Sequence, residues 1–71
     1  METITITTEF IRLQDLMKLA NMVSSGGEAK LLIQNGEVLV NGETCLQRGR
    51  KLRPGDTVAY AGRTCTAAYA S

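Results

Sequence analysis

The spacing of the apolar residues changes near residue 36 of this 71-residue chain, and the change limits the folds that the chain can adopt. Between residues 13 and 33 the apolar residues recur at intervals of three and four, which is the period of an amphipathic helix. After Asn35-Gly36 the interval becomes two, the period of a strand with one buried face. The alternating "TITIT" at residues 3–7 has the same strand period. The chain is therefore predicted to combine helices with strands.

The helical region divides into two helices at the segment "SSGG", residues 24–27. Ser25 is a suitable N-cap for the second helix, and Asn35-Gly36 is a typical helix end. We expect the first helix near residues 13–23, with an apolar stripe made of Leu13, Leu16, Met17, Ala20 and Val23. We expect the second near residues 27–35, with a stripe made of Ala29, Leu32 and Ile33.

Turn signals divide the remaining residues into short strands. Asn41-Gly42 is a strong hairpin signal, because both residues tolerate positive φ. Pro54-Gly55 suits the centre of a type II turn, and Ala61-Gly62 lies at the bend between the last two strands. The prediction is an α+β fold in which two packed helices lie on one side of a small, mainly antiparallel β-sheet. Residues 1–71 are expected to form a single domain, since so short a chain supports only one small core.

The composition argues against an enzyme or a metal protein. The chain has no histidine, its acidic residues are scattered singly, and it has no glycine pattern typical of nucleotide binding. We therefore expect no catalytic residue, no cofactor and no small-molecule substrate. Cys45 and Cys65 alone provide too few ligands for zinc, so we interpret them as small apolar side chains and predict no metal.

The apolar segments and the N-terminus also bear on where the protein acts. No apolar run approaches the roughly 20 residues that a membrane-spanning helix needs. The N-terminal "METITITTEF" does not resemble a signal peptide. We therefore expect a cytoplasmic protein without a membrane partner.

Basic residues concentrate in "RGRKLR", residues 48–53, which we call the basic segment. It holds four of the chain's eight basic residues, although the formal net charge is only +1. Such a run is either a solvated loop or a phosphate-binding loop, and charge alone leaves both interpretations open. The N-terminus of the second helix is a further candidate anion site, with Ser25 at its start and Lys30 within about one turn. We expect the basic segment to lie beside Lys30 and this helix end, with Gly49 allowing the segment to bend.

An ordered set of motifs resembles the RNA-binding domain named after the fourth protein of the small ribosomal subunit, also called the alpha-L motif. The matching pieces run from an Arg12-Leu13 pair that opens a helix, through a serine-initiated second helix, to "VLVNG" at residues 38–42 and "KLRPGD" at residues 51–56. The chain is similar, within that family, to short stand-alone bacterial proteins of the YaaA/YbcJ type.

The resemblance implies RNA binding across the two-helix surface and the basic segment, often in the setting of ribosomal or transfer RNA. We also expect the chain to be a monomer and to have no catalytic activity of its own. Carried over residue by residue, with the rest of the basic segment included, the predicted RNA-binding positions are Arg12, Ser25, Lys30, Arg48, Arg50, Lys51 and Arg53. Many family members have an arginine directly after the serine of the second helix. This chain has Gly26 there, and Lys30 is the nearest basic substitute.

Two other functions are compatible with the sequence. One is a small adaptor that binds an acidic protein through the basic segment. The other is a β-grasp-like carrier, although such carriers need a C-terminal Gly-Gly and this chain ends "AAYAS". Arg63 lies in a separate hairpin, and we expect it to contribute less to RNA binding than the basic segment.

Overall fold

The structure, a computed structural model, describes residues 2–70, so the predicted domain bounds of 1–71 extend one residue beyond it at each end. The helices are α1 (Leu13–Leu19) and α2 (Gly26–Gln34). The strands are β1 (Glu2–Ile6), β2 (Ile11–Arg12), β3 (Leu39–Val40), β4 (Glu43–Thr44), β5 (Lys51–Leu52), β6 (Thr57–Tyr60) and β7 (Arg63–Tyr69).

The predicted fold class is confirmed: two helices pack on a mixed, mostly antiparallel sheet. This sheet has the strand order β1-β7-β6-β3-β4, and only the β1–β7 pair is parallel. Strands β2 and β5 form a separate two-stranded antiparallel ladder. The sequence pattern did not predict this ladder.

The two predicted helical stripes meet the inner face of the sheet in one core. The largest side chains that are fully removed from solvent are Leu13, Leu16, Met17, Ile33, Leu52, Val38, Val40, Val58 and Cys65. Burying an aliphatic side chain of this size contributes roughly 1.5–3 kcal/mol, so these residues supply much of the driving force for folding. Cys45 and Cys65 both lie in this core, which confirms their predicted apolar role. Burial raises the pKa of the Cys65 thiol, so the thiol stays neutral.

Helix α1 is shorter than predicted: it ends at Leu19, not near residue 23. Asn21 takes the left-handed conformation with φ 61°, which ends the helix. The backbone N–H of Met22 donates to the carbonyl of Met17 (2.9 Å), and the N–H of Asn21 donates to that of Lys18 (3.1 Å). These are the two hydrogen bonds of a Schellman cap. Val23 is still buried, at 5% exposure, but it reaches the core from the connecting turn.

The three predicted turns are confirmed by their backbone angles. Asn41 and Gly42 have φ of 52° and 84°, as a two-residue hairpin turn between β3 and β4 requires. Gly55 has φ of 99°, and Asp56 donates its N–H to the carbonyl of Arg53 (3.0 Å), which closes the turn before β6. Ala61 joins β6 to β7 with φ of 52°, a conformation that costs a residue other than glycine about 1 kcal/mol or more.

A polar network joins the turn at Asn41 to the turn at Asp56. The Asp56 carboxylate accepts from the backbone N–H of Arg53 (2.8 Å) and from Asn41 Nδ2 (3.1 Å). Asn41 Oδ1 accepts from the backbone N–H of Thr57 (3.0 Å). These bonds hold the end of the basic segment against the β3–β4 turn. They also lower the pKa of Asp56, chiefly through the Arg53 amide and then through Asn41.

Arg63 joins the start of the parallel β1–β7 pair to the end of α1. Its guanidinium donates two hydrogen bonds to the Glu2 carboxylate, at 2.9 and 2.7 Å. It donates two more to the carbonyls of Ala20 (2.7 Å) and Asn21 (3.2 Å), where α1 has ended. Arg63 therefore stabilises the fold, and replacing it would change stability as well as charge.

We predict that the Arg63→Gln variant unfolds at a lower urea concentration than the parent, measured by circular dichroism. The substitution removes the bidentate contact to Glu2 and leaves the carbonyls at the end of α1 without their donor. Glu2→Gln should lower the midpoint less, because the two bonds to the carbonyls persist. Superimposable unfolding curves for parent and Arg63→Gln would contradict the role assigned to this residue.

We predict that Asp56→Asn lowers the free energy of unfolding at neutral pH and that the difference from the parent disappears in acid. The pKa of Asp56 is lowered by folding, so its contribution is complete above the ordinary value of 3.8 and is lost as the pH falls through the folded-state value. Urea titrations between neutral and acidic pH measure the difference. Glu43→Gln, which changes an exposed carboxylate in β4, is the matched control. A difference that is constant with pH would contradict the prediction.

Candidate nucleic-acid interface

The basic segment is held by the start of α1. Arg12 occupies the N-cap position of this helix, but it makes no side-chain cap, because a guanidinium group only donates hydrogen bonds. The carbonyls of the basic segment take that place: Leu13 donates its N–H to Arg50 (2.9 Å) and Gln14 donates to Arg48 (3.1 Å). A turn closed by the Arg50 N–H and the carbonyl of Gln47 (3.2 Å) brings both carbonyls to the helix.

The second half of the basic segment forms β5 and is anchored by its pairing with β2. Lys51 and Leu52 pair with Arg12 and Ile11 of β2, and the Leu52 side chain has no exposed surface. Its neighbours Lys51 and Arg53 are exposed. The alternation places one apolar side chain in the core and leaves the basic ones in solvent. The segment is thus a structured part of the fold with solvated side chains.

The same pairing brings Arg12 to the basic segment. Arg12 lies directly opposite Lys51 in the β2–β5 ladder, and both side chains are exposed. Lys51 Nζ lies 4.8 Å from the centroid of the Phe10 ring, a cation–π contact. The structure therefore brings together four predicted site residues from two distant parts of the chain. We call the exposed side chains of Arg12, Arg48, Arg50 and Lys51 the basic surface.

The eight cationic side chains divide into two groups by their contacts. Lys18 and Arg63 form ion pairs, with Asp15 (3.4 Å) and Glu2 (2.7 Å). Within residues 2–70 the other six form no ion pair with a carboxylate, and all six are exposed. These six are Arg12, Lys30, Arg48, Arg50, Lys51 and Arg53, the cationic members of the predicted RNA-binding set.

Ser25 has a structural role at the start of α2. Its Oγ accepts from the backbone N–H of Glu28 (3.2 Å), and Glu28 Oε1 accepts from the backbone N–H of Ser24 (3.0 Å). This arrangement resembles a capping box and confirms Ser25 as the N-cap. The Ser25 hydroxyl can still donate its own hydrogen to a phosphate. The Glu28 carboxylate, however, places negative charge at the helix end where an anion site was predicted.

Gly26 begins α2, and the space around it is open. A Cβ atom built on Gly26 would meet no heavy atom within 4 Å. Gly26 and Lys30 are four residues apart on α2, so they lie on the same helix face. A side chain at position 26 would therefore meet no clash at its Cβ atom.

The contacts that hold the basic segment are with β2, with the start of α1 and, through Asp56, with the β3–β4 turn. Its predicted placement beside Lys30 and the N-terminus of α2 is not among them and stays a prediction, as do the RNA contacts of all seven predicted residues. The capping of α1 by main-chain carbonyls of the basic segment was not predicted from the sequence. An N-cap residue without an acceptor side chain, Arg12, is the one available signal, since it implies an acceptor from elsewhere.

Neither a metal-binding cluster nor a membrane-spanning helix is found in the described part of the chain. Within residues 2–70, no three or more Cys, Asp or Glu side chains lie close enough to hold a metal ion. In the same range neither helix has the length and hydropathy needed to cross a membrane.

Comparisons with known proteins agree with this architecture. The family model described as the S4 domain matches residues 4–67. The Bacillus subtilis (strain 168) protein named "Probable ribosome maturation protein RlbA" is 49% identical over 59 residues, which cover 83% of each chain. The Escherichia coli (strain K12) protein YbcJ, provisionally named an RNA-binding protein, is 37% identical over 54 residues, 76% of this chain and 77% of its own.

The solution structure of YbcJ from E. coli, which is described as revealing an alpha-L motif involved in RNA binding, is also similar. It matches with a TM-score of 0.73 and 32% identity over 96% of this chain and 87% of that one. The family match spans both helices and most of the sheet, including the whole basic segment. This chain therefore belongs to the S4 family of RNA-binding domains.

Proposed function

We propose that this chain is a non-catalytic, monomeric RNA-binding protein that contacts structured ribosomal or transfer RNA through the basic surface, Arg53 and the start of α2. Ser25 and Lys30 extend the contact on α2. The proposed setting is the maturation of ribosomes in the cytoplasm, where these RNAs occur.

The observation that carries the proposal is the division of the cations into two groups. A cation that serves the fold is paired, as Arg63 is with Glu2. The six unpaired cations of residues 2–70 are exposed, and four of them surround the start of α1. Exposed, unpaired cations on an ordered backbone are suited to phosphate groups, because each contact releases counterions without breaking an internal ion pair. Main-chain capping also fixes the backbone that bears these side chains before RNA arrives, which lowers the entropic cost of binding.

The names of similar proteins support the ribosomal setting. RlbA is named for ribosome maturation, and it matches this chain over most of the length of both. YbcJ is described by its alpha-L motif and by RNA binding. These assignments belong to those proteins and are extended here as a proposal.

We predict that the triple variant Arg48→Glu, Arg50→Glu, Lys51→Glu binds ribosomal RNA fragments about tenfold or more weakly near physiological salt. The slope of log affinity against log salt should become shallower by roughly 0.7 to 0.9 for each phosphate that the protein no longer neutralises. The fold should persist, because the carbonyls that cap α1 are unchanged and negative charge near a helix N-terminus is favourable. Fluorescence anisotropy across a salt series measures both effects.

Lys18→Glu is the control for charge reversal outside the basic surface, with one reversed charge against three in the triple variant. Lys18 is exposed and lies at the other end of α1, so its reversal should change RNA affinity much less. A triple variant that is folded, by circular dichroism, yet binds as tightly as the parent at every salt concentration would contradict the proposal. Retention of an acidic protein from a lysate after nuclease treatment, with no RNA bound, would favour the adaptor function instead.

We predict that Gly26→Arg binds the same RNA roughly two- to fivefold more tightly, which is the effect of one additional exposed charge contact. The new side chain would share a helix face with Lys30, and the backbone leaves room for it. The salt dependence should steepen by about one phosphate contact.

Gly26→Ala separates this gain from a change in stability. Alanine at the same position reduces the flexibility of the unfolded chain and adds no charge. The alanine variant should therefore keep the parent's RNA affinity. Equal affinities for the arginine and alanine variants would show that the start of α2 lies outside the RNA contact.

A further inference from the structure

An open depression borders the basic surface. It is lined by Thr8, Phe10, Ile11, Arg12 and Asp15, and its volume is about 340 Å³. This volume is within the range of sites that bind small organic groups. Its walls come from the segment before β2, from β2 itself and from the first turn of α1. The depression is thus built on the same elements that hold the basic segment.

The walls combine apolar surface with two opposite charges. Phe10 and Ile11 are half-buried, and Arg12 offers a planar guanidinium group. Aromatic rings and guanidinium planes are the groups on which unstacked RNA bases stack in single-stranded loops and bulges. Because stacking needs only a flat partner, the walls formed by Phe10 and Ile11 suit a nucleobase better than they suit a phosphate.

Asp15 is the feature that a phosphate site would not contain. Its carboxylate would repel the RNA backbone, yet it lines the same depression as Arg12. A carboxylate only accepts hydrogen bonds, so it fits the N–H groups on the edge of a base. Its ion pair with Lys18 is an ordinary exposed pair, with side-chain exposures of 44% and 45%, and it leaves the carboxylate accessible.

Lys51 links the depression to the phosphate contacts. Its ammonium group lies over the Phe10 ring, while its backbone belongs to the basic segment. RNA whose phosphates lie on Arg48 and Arg50 would therefore have a nucleotide close to the depression. A nucleotide in a loop or bulge can turn its base away from the stack, whereas a base in a helix must first be unpaired and unstacked.

We propose that the depression binds a single unstacked base of the RNA and prefers guanine over uracil. The N1–H and N2–H of guanine lie side by side and match the two oxygens of the Asp15 carboxylate, whereas uracil offers one N–H donor on the corresponding edge. The base lies against Phe10 and Arg12. This inference rests on the proposed RNA-binding function and adds to it a base-selective site beside the phosphate contacts.

The test uses two fluorescent hairpin RNAs with identical stems, one with a loop of uridines only and one with a single guanosine in that loop. The parent should bind the guanosine loop roughly tenfold more tightly, which is the discrimination expected of a paired hydrogen-bond contact to a base. Asp15→Asn should reduce the ratio of the two affinities toward one. Phe10→Leu, which keeps apolar bulk and removes the ring, should reduce it as well.

Lys18→Gln is the matched control, because it removes the ion pair and keeps the Asp15 carboxylate. Its affinity ratio should equal that of the parent. Equal binding of both hairpins by the parent, or an unchanged ratio in Asp15→Asn, would overturn the base site and leave salt-dependent RNA binding intact. Failure of the parent to bind either hairpin or ribosomal RNA would instead overturn the proposed function itself.

Discussion

The backbone amides at the start of α1 need hydrogen-bond acceptors that the helix does not contain, and the arrangement of the basic segment depends on this need. Arg12 stands at the N-cap without an acceptor side chain. The carbonyls of Arg48 and Arg50 take that role. The Leu52 side chain is buried in the core, and Lys51 lies opposite Arg12 in the β2–β5 ladder. The main chain of the segment thus bonds to the helix, while its basic side chains stay in solvent because burying an unpaired charge is costly.

The parts of the fold that the sequence predicts are those set by neighbouring residues. Ser25 caps α2 through a contact three residues away, and Asn41-Gly42 determines its own turn through φ. The β2–β5 ladder could not be predicted in this way, since two residues per strand show no period and the partners lie about 40 positions apart. The predicted end of α1 was wrong for a related reason. Val23 continues the apolar spacing of the helix, but its buried side chain enters the core from the turn that follows α1.

The sequence predicts which residues of the candidate site are basic, but it predicts less well how the fold arranges them. The sequence identifies every cation, but it cannot say which cations serve the fold. Arg53 and Arg63 both flank turns, yet within residues 2–70 only the Arg63 side chain of the two forms an ion pair, with Glu2 from the other end of the chain. The contact between Arg63 and Glu2 depends on the parallel pairing of β1 with β7, which no local sequence pattern predicts. The same limit applies to the depression at Phe10 and Asp15, since its walls become neighbours of the basic surface only through β2 and β5.

The formal net charge of +1 does not describe the local concentration of positive charge, which is the property that matters for RNA binding. The molecule measures 34 × 21 × 18 Å and is larger in every direction than the Debye length of about 8 Å at physiological salt, so a phosphate responds mainly to nearby charges. In water, two exposed cations on the order of 8 Å apart repel each other by only about 0.5 kcal/mol, which an ordered backbone can sustain. A phosphate placed between such cations replaces this repulsion with attraction to both. The crowding of Arg48, Arg50 and Lys51 beside Arg12 is therefore a mild cost in the free protein, and its relief adds to RNA affinity at this one surface.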